Sequence, residues 1–241
     1  MRRQLQTSVA LVLAGSAFVV AAQTSASSPA PAPAAATAAT ATAATASAGT
    51  GKSVPIESKV AMCIGCHGIP GYQGTFPEVY KVPMIAGQNS KYLASALTAY
   101  AKGDRKHPTM RSIAQSLSDQ DITELAGYYE KQAQVPAVAE TVAPPADIKA
   151  LLDKGACASC HGANFSKPID GTYPKIAGQH PDYLYAALKA YQTEGNPYVG
   201  RGNAIMAAQV KQFSHAELKS LAKYLASLPG ELRTVPQSKF R

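Results

Sequence analysis

The chain has no tryptophan and only 5 phenylalanines, and aromatic residues make up 7% of its 241 positions. A core must therefore be built mainly from Ala, Leu, Ile and Tyr. Charged residues are also few, at 16%, while 46% are hydrophobic, which excludes a wholly disordered chain. No apolar run reaches the roughly 20 residues that cross a bilayer as a helix. The longest, Val9 to Ala22, is broken only by Gly15 and Ser16. No stretch alternates apolar and polar residues convincingly, so strands are not expected. Cysteine is scarce too: there are four, all in two copies of one motif. The charge is basic, 23 Lys and Arg against 15 Asp and Glu, for a net +8. That balance admits nucleic acid, anionic lipid or an acidic protein as partner. The basic residues are scattered without interleaved aromatics, which speaks against nucleic acid.

The ends read differently from the middle. Arg2 and Arg3 precede the apolar run, and Val20-Ala21-Ala22 offers small residues for cleavage. Residues 1–22 thus read as a secretory signal peptide, with an uncleaved anchor as the alternative. No cysteine stands at this junction to take a lipid. The mature protein is then expected in the periplasm, with peripheral membrane association left open. Residues 23–52 are nearly all Ala, Thr, Ser and Pro and read as a disordered tether. A Pro-rich interval at 136–147 reads as a linker, and residues 230–241 as a flexible tail.

Between these segments the chain repeats itself. Cys63-Ile64-Gly65-Cys66-His67-Gly68 returns as Cys157-Ala158-Ser159-Cys160-His161-Gly162. Pro83-Met84-Ile85-Ala86-Gly87-Gln88 returns as Pro174-Lys175-Ile176-Ala177-Gly178-Gln179. Tyr92, Leu93, Ala96, Leu97 and Tyr100 return as Tyr183, Leu184, Ala187, Leu188 and Tyr191, and Met110 and Ser118 return as Met206 and Ser214. Order is kept and only loop lengths drift, as a tandem duplication of one domain requires. In each copy a capping box (Ser118 with Asp121, Ser214 with Glu217) opens a helix with one apolar face. That face is Ile122, Leu125, Ala126 and Tyr129 in the first copy, and Leu218, Leu221, Ala222 and Leu225 in the second. A middle helix precedes it, and a short helix should lead into each cysteine motif. The expected fold is all-α: two small domains, at 53–135 and 148–229, each around one covalently bound cofactor.

Two cysteines three apart on a helical turn project from one side, with the following His aimed at what they hold. Cys-x-x-Cys-His is read as a c-type haem attachment site, thioethers to two vinyl groups placing imidazole on iron. Other readings fit less well. A closed zinc site needs four ligands and each copy offers three. A thioredoxin-like pair needs a βαβ context, and disulfides across such short loops would staple little. Cys63, Cys66, Cys157 and Cys160 are thus candidates for covalent attachment of two haem c groups, with His67 and His161 as iron ligands. For the opposite face of each iron the repeating candidates are Met110 and Met206. Met84 has Lys175 as its counterpart and fails the repeat test; Met62 adjoins the attachment site. His/Met ligation fills both axial positions, raises the potential and suits electron transfer. No nucleophilic triad, phosphate-cradling loop or carboxylate pair repeats alongside.

The two Cys-x-x-Cys-His-Gly motifs, the two Pro-x-Ile-Ala-Gly-Gln stretches and Met110 leading to Leu117-Ser118-Asp119-Gln120-Asp121-Ile122 resemble the dihaem cytochrome c4 group of class I c-type cytochromes. The resemblance runs from about Ser53 to Leu228. It implies two cytochrome c folds packed face to face with haem propionates near each other. It also implies that the carbonyls of Pro83 and Pro174 accept hydrogen bonds from the axial histidines. The long tether, and Gly200-Arg201-Gly202-Asn203 where the first copy leads into its methionine with His107-Pro108-Thr109, depart from the pattern. The implied function is a single-electron carrier in a periplasmic respiratory chain, not an enzyme. It would take electrons from a quinol-oxidising complex or dehydrogenase and pass them to a terminal oxidase. The alternatives are a dihaem redox enzyme of peroxidase or thiosulfate-oxidising type, and a fixed electron-transfer subunit of a larger oxidoreductase.

Overall fold

The computed structural model describes residues 54–133 and 143–236. The expected signal peptide, tether, most of the linker and the last five residues of the tail lie outside them. In the first repeat α1 (Ile56–His67) ends on the cysteine motif, and β1 (Gln73–Gly74) and β2 (Tyr80–Lys81) follow. Then come α2 (Ser90–Lys102), β3 (Arg105–Lys106), α3 (Pro108–Gln115) and α4 (Asp119–Glu130). The second repeat begins with α5 (Ala146–Lys154), α6 (Ala158–His161) and α7 (Pro181–Gln192). It ends with β4 (Gly200–Arg201), α8 (Ala204–Val210) and α9 (His215–Ser227). Both repeats fall in one compact unit.

Each repeat packs its last helix against its middle one: α4 on α2, and α9 on α7. The capping boxes form at Ser118 and Ser214, each hydroxyl accepting from the backbone N–H three residues on. Each such cap contributes about 1 kcal/mol. Ile122, Leu125, Ala126 and Tyr129 are the buried face of α4, and Leu218, Leu221, Ala222 and Leu225 that of α9. The two cores are unequal. Six buried side chains form the first cluster and eleven the second, which includes Phe165 and Phe213.

Three features depart from the expectations. Among the described residues there are four two-residue strands, too short for alternation to show in sequence. One pair, β3 with β4, joins the two repeats antiparallel, Arg105 opposite Arg201 and Lys106 opposite Gly200. The cysteine helix is continuous in the first repeat, but in the second it breaks between α5 and α6, where Ala156 takes φ 45°. The supposed tail is packed as far as Val235: Leu232 is 1% exposed, Arg233 N–H donates to Ala86 O at 3.0 Å, and Val235 lies against the first core. The apolar pair Leu232 and Val235 gives this segment a reason to dock that its polar neighbours hide.

Lys59 ties α1 to α4, its ammonium 2.7 Å from Asp121 and 2.6 Å from Glu124. The Lys59 bond, with the Ser118 cap, holds the Asp121 carboxyl at about 2, below its usual 3.8. A depressed carboxyl stabilises above its unfolded pKa and loses that contribution as pH falls through the folded one. Lys59→Met is therefore expected to lower Tm near neutral pH, with the difference from wild type closing between about pH 4 and pH 2. Thermal melts of both proteins across that range check it.

Candidate haem sites

Cys63, Cys66 and His67 sit in the last turns of α1; Cys157 immediately precedes α6, which carries Cys160 and His161. No disulfide joins the four cysteines, and Cys63 and Cys157 are partly buried. Among the described residues, no three His, Cys, Asp or Glu side chains gather as a metal-holding group, so a closed zinc site has no donor set. His67 Nδ1 lies 2.8 Å from Pro83 O, and His161 Nδ1 lies 2.9 Å from Pro174 O. A carbonyl can only accept, so Nδ1 carries the proton in both rings and Nε2 keeps its lone pair for a metal. Burial pushes both imidazoles below their usual pKa, against the opposing effect of the proline carbonyls.

Met110 is the third residue of α3 and Met206 the third of α8, and both are partly buried. Each methionine N–H is held by the side chain three residues before it. His107 Nδ1 accepts from Met110 at 3.3 Å, and Asn203 Oδ1 from Met206 at 2.9 Å. The differing residues of the second loop thus reproduce the same helix start. Met84 instead lies on the interface between repeats, its backbone bonded to Gln179.

The repeated Gly of Pro-x-Ile-Ala-Gly-Gln has a backbone reason. Gly87 and Gly178 take φ 84° and 72°, and their N–H groups donate to Tyr129 O at 2.8 Å and Leu225 O at 2.9 Å, at the ends of the last helices. A Cβ on Gly87 would come 2.6 Å from Glu231 O, whereas at Gly178 the nearest atom is Leu228 O at 3.2 Å. Gly178→Ala should cost about 1–2 kcal/mol of left-handed strain. Gly87→Ala adds a backbone clash and should cost more. Urea midpoints of the two variants measure the order.

At the junction of the repeats stand two arginines that sequence reading missed. Arg105 donates to Tyr183 OH at 2.7 Å and Tyr92 OH at 3.2 Å, and Arg201 donates to the same Tyr183 OH at 3.1 Å. Each also lies over a tyrosine face, Arg105 on Tyr100 at 4.6 Å and Arg201 on Tyr191 at 5.3 Å. Burial raises the pKa of Tyr183, but the two guanidiniums outweigh it and hold the phenol at about 8. Arg105 Nε is buried with no acceptor, and among the described residues neither arginine has a carboxylate partner. Two adjacent half-buried cations without anions are costly, which suits the junction to negative charge supplied from outside the chain. Haem propionates are such anions, and the donor set fits them. The clue was available: both arginines stand five residues ahead of the repeating methionine.

The family model described as cytochrome c matches residues 145–229, the second repeat. The chain is 31% identical to the thiosulfate dehydrogenase electron acceptor of Thiomonas intermedia, over 71% of this chain and 80% of that protein. The chain belongs to the dihaem cytochrome c4 family. Cytochrome c4 of Stutzerimonas stutzeri is 28% identical over 71% of this chain and 87% of its own length. The solved cytochrome c4 of Acidithiobacillus ferrooxidans superposes with a TM-score of 0.53 at 29% identity, covering 70% of this chain and 99% of that one. As a cytochrome c4 relative with two cytochrome c folds, the chain carries haem c and works as a c-type electron carrier. No described helix is long and apolar enough to cross a membrane.

Proposed function

We propose that the protein is a periplasmic single-electron carrier, not an enzyme, and that its two haems are held by the residues that repeat. Cys63 and Cys66 would attach one and Cys157 and Cys160 the other; His67 with Met110, and His161 with Met206, would ligate the two irons. The observation that carries this reading is the pair of Nδ1-protonated histidines on Pro83 and Pro174, each leaving a lone pair free beside its two cysteines. When bound, haem supplies a one-electron iron couple. The proline carbonyls hold each ring in one tautomer and one plane. Helix starts at His107 and Asn203 hold the methionine backbones. Arg105 and Arg201 neutralise carboxylates brought to the junction and hold the repeats together there.

The donor we favour is a dehydrogenase, with a quinol-oxidising complex as the other source, and the acceptor a terminal oxidase. The Thiomonas relative, named as the electron acceptor of a thiosulfate dehydrogenase, supports a dehydrogenase donor. Haem counting by pyridine haemochrome with a reductive optical titration of the holoprotein tests the reading. Two covalent haems per chain, low-spin in both states, are expected. A haem that is high-spin or takes up added ligand would instead indicate an enzyme.

Charge is distributed unevenly, net +1 over residues 51–143 and +5 over residues 144–241. The second repeat is therefore the expected docking side toward an acidic partner. Electron-transfer rates with such a partner should fall as ionic strength rises, and stopped-flow mixing over a salt series measures it. A flat series would overturn this orientation.

A further inference from the structure

The two Pro-x-Ile-Ala-Gly-Gln stretches face each other across the junction, and each glutamine reaches into the other repeat. Gln179 Oε1 accepts the N–H of Met84 at 3.0 Å, and Gln179 Nε2 donates to Met84 O at 2.9 Å. Reciprocally, Gln88 Oε1 accepts the N–H of Lys175 at 2.9 Å, and Gln88 Nε2 donates to Lys175 O at 2.9 Å. Both glutamines are 4% exposed. Each oxygen also takes the N–H of the next residue, Asn89 or His180, at 3.0 Å. Both amides are buried with their oxygen and nitrogen each bonded across the junction, a setting in which linked hydrogen bonds polarise one another.

The peptide groups it grips are specific ones. The N–H of Met84 belongs to the same peptide unit as the carbonyl of Pro83, which accepts from His67 Nδ1 at 2.8 Å. The N–H of Lys175 shares its peptide unit with the carbonyl of Pro174, which accepts from His161 Nδ1 at 2.9 Å. A continuous chain thus runs from Gln179 in the second repeat through one peptide to His67 in the first. Its mirror image runs from Gln88 to His161.

We propose that Gln88 and Gln179 are crossed positioning residues, each setting the basicity of the axial histidine in the other repeat and so the potential of the other repeat's haem. This rests on the ligand assignment proposed above. An acceptor on the peptide N–H leaves its carbonyl oxygen more negative, which strengthens the bond from His Nδ1 and makes Nε2 a better donor. A better donor favours ferric iron. Each glutamine therefore lowers the potential of the haem across the junction.

Gln179→Met keeps the volume and removes all three side-chain bonds, the one from His180 N–H included, and should raise the potential of the haem on His67. Gln88→Met should do the same to the haem on His161. The expected change in the redox equilibrium of the affected haem is about threefold to tenfold, tenfold being 59 mV for one electron. The haem in the mutated repeat should move much less. Gln179→Glu keeps the fold testable if the methionine variant does not: at pH 8 it presents an anionic acceptor to the same N–H and should lower the potential of the haem on His67. A redox titration followed by proton NMR, with hyperfine-shifted haem signals assigned to each repeat by through-space contacts, resolves the two haems. Crossed shifts, with opposite signs for Met and Glu at position 179, support the proposal. Shifts in the mutated repeat, equal shifts in both, or none, with two low-spin haems retained, overturn it and leave the ligand assignment standing. If the wild-type holoprotein does not hold two low-spin haems, the ligand assignment falls, and this proposal with it.

Discussion

If Met110 and Met206 are the iron ligands proposed above, replacing Met206 with alanine should remove half of the sulfur-to-iron band of the oxidised holoprotein, and replacing Met110 the other half. Each change should lower the potential of its own haem by on the order of 100 mV or more, since the iron's ligands set haem potentials across a range of about 0.8 V and methionine raises them. The prediction rests on position as much as residue type. Both methionines are third in a short helix, and the N–H of each is taken by a side chain at the N-cap, His107 in one repeat and Asn203 in the other. Met206 also packs against the second core, so truncating it opens a cavity beside the haem. Met84→Leu is the control. Its backbone belongs to the glutamine clamp, so its side chain can be changed with the band intact. Oxidised-state spectra and potentiometry of the three variants check these outcomes, and loss of the band in the Met84 variant would overturn the assignment.

Removing one attachment site is expected to have a still larger effect, and an unequal one. A Cys63→Ser, Cys66→Ser variant should carry one covalent haem per chain instead of two, and so should Cys157→Ser, Cys160→Ser. The first repeat, with its six-member core of Val60, Ala86, Leu93, Leu125, Ala126 and Tyr129, has little apolar area to hold it without the macrocycle. The second repeat has eleven buried members, two of them phenylalanines, and should keep more of its helix. Haemochrome counts and circular dichroism melts of the two variants give the comparison. A greater loss of helix from the second repeat would contradict it.

Several parts of this architecture could be read directly from residues. The faces of α4 and α9 follow from apolar residues at helical spacing behind a serine cap, signals that act within a few residues of each other. The cysteine motifs and their histidines are likewise local, and the duplication supplied an internal check that set Met110 and Met206 apart from Met84. The break between α5 and α6 was less visible. Ala156 adopts a left-handed conformation that alanine does not advertise, beside Gly155, where a Cβ would meet Cys157 and Phe213 at 3.1 Å.

By itself the sequence determined the class: two helical repeats, each with a haem attachment motif and a methionine before its last helix. Those features depend on spacings along one chain segment, where propensity and periodicity operate. The junction was decided only by tertiary structure. The pairing of β3 with β4, the facing arginines on Tyr183, the docking of Leu232 and Val235 and the two crossed glutamines all join residues far apart in sequence. Gln88 and Gln179 look like ordinary motif residues until the repeats are apposed. Only then does each buried amide find the one residue, Met84 or Lys175 in the opposite repeat, whose backbone N–H and carbonyl satisfy its acceptor and a donor together.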